Sequence, residues 1–112
     1  MDNVRCICIN DADKPKEIPS EKWVKKGEPY NITHIFMMIN QEGIQGVELA
    51  EFDISTYAPY NCYRLDRFAI LLEDMQKFIE LIKRSAEFNG LKDFDVQKYV
   101  DLVPTLESFS EN

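Results

Sequence analysis

The chain opens on an alternation in which Val4, Cys6 and Cys8 fall on one side of an extended segment and Arg5, Ile7 and Ile9 on the other. A period of two in strand-favouring residues predicts a first strand over "NVRCICIN". The pattern then lapses. "DADKPKEIPSEKWVKKGEPY", residues 11–30, is polar and carries Pro15, Pro19 and Pro29, which fix φ and remove backbone donors, so no regular helix fits. It predicts a long ordered loop pinned by Ile18, Trp23 and Val24. "YNITHIFMMIN" predicts a second strand, the glycines of "QEG" and "IQG" a hairpin turn, and "GVELAEFDI" the returning strand. After a turn at Tyr57 to Pro59, "YNCYRLDRF" completes a meander of at least four short strands.

From Ile70 the period changes. Leu71, Met75, Phe78, Ile79, Ile82 and Ala86 recur at three- and four-residue steps, with Glu73, Asp74, Lys77, Glu80, Lys83 and Glu87 mostly opposite, which predicts an amphipathic helix. Glu73 and Asp74 suit its N-terminus and Gly90 its C-cap. A second, shorter helix is expected from Asp93 to just before Pro104, and "TLESFSEN" reads as a frayed end. The fold class is therefore α+β: a small antiparallel β-barrel over residues 1–70, a helical hairpin over 71–104 packed on it, and a tail over 105–112. The short connection from Phe68 favours burial of the apolar stripe on the same chain, hence a monomer. A homodimer through the stripe is the alternative.

The order of "VRCICIND", "WVKKGEPYNI" and "PYNCYRLDRFAIL" resembles a family of small Src-homology-3-like barrels found in bacteriophages and other mobile elements. The matching positions are Lys26, Gly27, Tyr30, Ile32, Tyr63, Arg67 and Phe68, across roughly residues 4–71. The chain departs from the family in its long Asp11–Lys22 loop, in a hairpin after Asn40 without the usual Asp-Asp-Gly turn, and in the extra helical segment 72–103. The resemblance implies a barrel and a non-enzymatic, protein-binding habit, with phage or mobile-element origin. It supplies no catalytic residues.

Composition narrows the functional classes. Thirteen Lys and Arg against twenty Asp and Glu give a net charge of −7, with neither half of the chain basic. Nucleic-acid binders usually show the opposite balance, because phosphate contacts supply most of their non-specific affinity. A nucleic-acid-binding barrel would need a stripe from Lys14, Lys16, Lys22, Lys25, Lys26 and Arg64. No apolar run approaches the ~20 residues that span a bilayer. The opening residues lack a secretory pattern, and the three cysteines are an odd number, so a reduced cytoplasmic protein is expected.

Candidate chemistry is sparse. Cys6, Cys8, Cys62 and His34 could be counted as a zinc set, but a single residue between Cys6 and Cys8 points both thiols to one face of a strand, unlike a metal knuckle. Neither metal nor cofactor is expected. Cys62 with His34 offers a nucleophile and base for a small cysteine-dependent enzyme, without an evident orienting group. Glu48, Glu51 and Asp53 carry carboxylates along one strand, and Glu51 and Asp53 share its parity. In the closing strand, Tyr63 and Leu65 face the core and Arg64 faces out. Phe68 plugs the core, and Arg67 pairs with a carboxylate such as Glu51 or holds a carbonyl. The leading function is thus a protein-interaction module, an inhibitor or accessory factor acting on a host or phage protein, with Trp23, Tyr60, Arg64, Glu51 and Asp53 as binding groups. Treatment with a chelator should leave the melting temperature unchanged, and a marked fall would place the thiols in a metal site.

Overall fold

The computed structural model describes residues 3–37, 45–54, 56–57, 62–88 and 103–107. Its strands are β1 (Val4–Cys8), β2 (Pro29–Met37), β3 (Gln45–Leu49), β4 (Tyr63–Arg64), β5 (Phe68–Leu71) and β6 (Thr105–Leu106), with one α-helix, α1 (Met75–Phe88). The fold is α+β: a curled six-stranded sheet, a half-barrel, in the order β4-β3-β2-β1-β5-β6, with α1 packed on β2, β1 and β5. All neighbours are antiparallel except β5 and β6.

The curl follows from chain connectivity. β4 and β5 lie four places apart in the sheet, about 19 Å if it were flat. Only the 3-10 turn Leu65–Arg67 joins them, and the four steps from Arg64 to Phe68 cover at most ~14 Å even fully extended. A flat sheet is therefore impossible, and its ends must bend towards each other. The bend has a local seat in β2, where the register with β3 shifts between Ile32 and His34, since an extra residue kinks a strand and increases its twist. At Gly46 in β3 a Cβ would collide with the Cys62 sulfur, so only glycine lets the chain entering β4 lie this close.

Cross-strand register builds the core. Cys6 lies opposite Tyr30 on one side and Ile70 on the other, Val4 opposite Ile32, and Cys8 opposite Phe68. All seven side chains are buried, joined by Ile18, Val24, Val47 and Leu65. Phe78, Leu81 and Ile82 bring α1 into the same cluster, so its stripe is covered by its own sheet. Leu81 was absent from the predicted stripe, and Ile79, which was in it, is half-buried.

Three sequence expectations change. The described part of the expected closing strand is not one strand: Tyr63–Arg64 pairs with β3, the chain turns, and Phe68–Leu71 pairs with β1. Leu71, counted in the helical stripe, belongs instead to a strand, because "FAIL" is buried at all four positions, and α1 begins at Met75. An apolar run of that length carries no period to separate strand from helix, and coverage on both faces selects the strand. Thr105 and Leu106 are not frayed but pair with Ile70 and Leu71, so the sheet extends beyond residue 70. The second helix predicted from Asp93 falls mostly on residues outside those described.

One buried charge ties α1 to the sheet. Asp74, in the 3-10 turn Leu72–Asp74 before α1, is 1% exposed and is the one buried polar or charged side chain among the described residues. Odd-numbered β1 amides point towards β5, as the Ile9 N–H bonded to the Arg67 carbonyl at 2.7 Å shows. By that alternation the Arg5 N–H would meet a β5 carbonyl, but the chain has turned away at Leu71, and Asp74 Oδ2 accepts the bond instead at 2.8 Å. The Arg5 guanidinium adds two bonds, Nε to Oδ2 at 3.0 Å and Nη2 to Oδ1 at 2.8 Å. The side-chain bond from Arg5 outweighs burial and holds the Asp74 carboxyl below its ordinary value of 3.8. A lowered folded pKa stabilises above the unfolded value and ceases to do so as pH falls through the folded one. Asp74→Asn should therefore lower stability at neutral pH by about 1.5–3 kcal/mol, the range for a charge-assisted bond. Urea titrations should show that difference closing as pH drops below 3.8.

Candidate functional site

The loop between β1 and β2 is held at both ends and in its middle. The Gly27 N–H bonds the Cys8 carbonyl at 2.8 Å, and Gly27 has φ 90°, a conformation that favours glycine at this turn. Asp11 serves twice: its carbonyl accepts from Trp23 Nε1 at 2.7 Å and its carboxylate from the Lys26 N–H at 2.9 Å. Arg67 Nη1 donates to the Asn10 and Ala12 carbonyls, and its guanidinium lies 4.9 Å from the centroid of a Trp23 ring. Of the two roles expected for Arg67, it takes the carbonyl-holding one. Tyr30 Oη accepts from the Lys25 N–H and Tyr63 Oη donates to the Lys22 carbonyl, so two core aromatics also grip the loop.

Beside this loop, where β3 ends, opens a cleft of about 630 Å³. Its wall is the segment from Glu48 to Ile54, closed by Thr33 and His34 from β2, Lys22 from the loop, and Cys62 and Tyr63 at the start of β4. Three carboxylates, Glu48, Glu51 and Asp53, face one lysine and one histidine, and Phe52 and Tyr63 supply aromatic surface. The two rings lie 6.5 Å apart and continue to Trp23 on one side and Tyr30 on the other.

Glu51 and Asp53 come together in the cleft, but not by strand parity, because β3 ends at Leu49. Glu51 instead accepts from the Asn31 N–H at 3.0 Å and from Asn31 Nδ2 at 2.7 Å, standing in for a strand that has stopped. Lys22 Nζ reaches the Asp53 carbonyl at 3.4 Å. Trp23 packs half-buried against Tyr63 outside the cleft lining, and Arg64 is exposed and paired with Asp66 at 2.7 Å. Tyr60 lies outside the described residues. Of the lysines counted for a basic stripe, Lys14 is turned onto the Pro15 and Ile18 carbonyls and Lys22 onto Asp53.

His34 and Cys62 line the same cleft from opposite sides of β3, which separates their strands, and Glu48 of β3 stands between them. His34 Nδ1 lies 3.1 Å from Glu48 Oε1 and 3.2 Å from Thr33 Oγ1. Among the described residues no hydrogen bond joins His34 to Cys62. Burial first, and then the Glu48 carboxylate, push the Cys62 thiol up, which opposes the thiolate that nucleophilic catalysis needs. Cys6 and Cys8 lie in the core on β1, their thiols also raised chiefly by burial, and Cys6 Sγ donates to the Tyr30 carbonyl. No three His, Cys, Asp or Glu side chains among the described residues form a group able to hold a metal ion.

Sequence reasoning identified Glu48, Glu51 and Asp53 but missed Lys22, Thr33 and Phe52 as their neighbours in a cleft. Strand parity places side chains on faces and says nothing of where a strand stops, and this cleft is made by β3 stopping. No protein-family model matches the chain, and comparison with curated proteins and with solved structures finds no match.

Removing the Trp23 ring should cost about 2–4 kcal/mol on urea denaturation of Trp23→Ala, as for other large-to-small changes at packed sites. A change under ~0.5 kcal/mol would make the ring peripheral to the fold. In the native protein at neutral pH all three thiols should react slowly with an alkylating reagent, Cys62 ahead of Cys6 and Cys8. A Cys62 faster than an unstructured cysteine peptide would overturn its reading as an inert wall residue.

Proposed function

We propose that this chain is a non-enzymatic protein-interaction module with Src-homology-3-like barrel architecture, and that its acidic cleft receives a basic segment of a partner protein. The barrel reading draws on the strand order β4-β3-β2-β1-β5, the 3-10 link between β4 and β5, and the bulge in β2. The first arm of a helical hairpin is α1; the second arm rests on the sequence period alone. A cytoplasmic monomer of mobile-element origin, an inhibitor or accessory factor, completes the reading.

The observation that carries it is the charge of the cleft. Three carboxylates line a half-apolar opening on a chain of net charge −7, which attracts a cationic segment and repels nucleic acid. Phe52 and Tyr63 add ring surface for the stems and heads of Lys or Arg. The clamped loop and the strand ends hold the opening in shape before a partner arrives, which limits the ordering entropy that binding must overcome.

A cysteine-dependent enzyme is the second reading, favoured by one observation: Cys62, His34 and Glu48 share the cleft. In a working triad the histidine bridges nucleophile and acid, whereas here the His34 ring lies against Glu48 and Thr33.

Titration of isotope-labelled protein with a short Lys- and Arg-rich peptide should shift the resonances of Glu48, Glu51, Phe52 and Asp53, with Kd rising as salt is added. Glu48→Gln together with Glu51→Gln, which keeps an acceptor for Asn31, should weaken binding about tenfold, ~1.4 kcal/mol. Shifts confined to another face, or an affinity indifferent to both substitutions, would remove the cleft from the function.

A further inference from the structure

We draw no further inference here: the strongest candidate, the Cys62 thiol packed against Gly46 in the wall of the acidic cleft, is a lone cysteine beside a site already described, and nothing in the structure shows a ligand for it.

Discussion

Three residues, Leu65–Arg67, must carry the chain between strands four places apart in the sheet. Much of the architecture answers that demand. The link is too short for a flat sheet, so the sheet curls, and β5 lands on the free edge of β1 opposite Cys6, Ile7 and Cys8. Curling encloses one face, which is why Phe68, Ile70, Tyr63 and Leu65 are all buried although they belong to two strands and a turn. The link also carries Arg67, whose guanidinium holds the Asn10 and Ala12 carbonyls. Curling the sheet and fixing the β1–β2 loop thus depend on the same link. The cleft lies where the curl leaves β3 paired with β4 only at Gly46 and Val47, while its pairing with β2 runs on to Leu49.

Charges contribute unequally to this arrangement. Arg64–Asp66 and His34–Glu48 are exposed pairs, of a kind that solvent and salt screen until little stability is left. Asp74 is different, because its burial would be costly without compensation and three bonds from Arg5 supply it. One of them replaces a strand-to-strand bond lost where β5 turns away, so the carboxylate extends the ladder and anchors the start of α1 together. The cleft carboxylates sit at the opposite extreme. Glu51 and Asp53 are exposed and Glu48 half-buried, so all three keep contact with water.

Much of the fold was legible in the sequence wherever one face is wet and the other dry. The alternation of Val4, Cys6 and Cys8 gave β1 with the correct inward face, and the prolines marked the loop that Ile18 and Val24 pin. Legibility failed where burial is two-sided or where the chain breaks inside an apolar run. "FAIL" has no polar position to mark its period, and the break at Leu65–Arg67 contains none of the glycine or proline that punctuate most turns. Asp74 misled for a related reason: an acidic residue just before a helix is usually solvated, and its burial depends on an arginine 69 positions away. The cleft was readable as a set of carboxylates and not as a cavity, because no local pattern records that Lys22, Thr33 and Cys62 converge on the end of β3.

Native-state hydrogen exchange tests the docking of β5 on β1 most directly. If the short link brings β5 onto β1, the amide of Ile9, bonded to the Arg67 carbonyl, should exchange only on global unfolding, in step with Cys8 on the β2 side of β1. Ile9 exchanging orders of magnitude faster than Cys8 would mean that β5 is not docked, and would contradict the curled sheet from which the loop and the cleft take their shape.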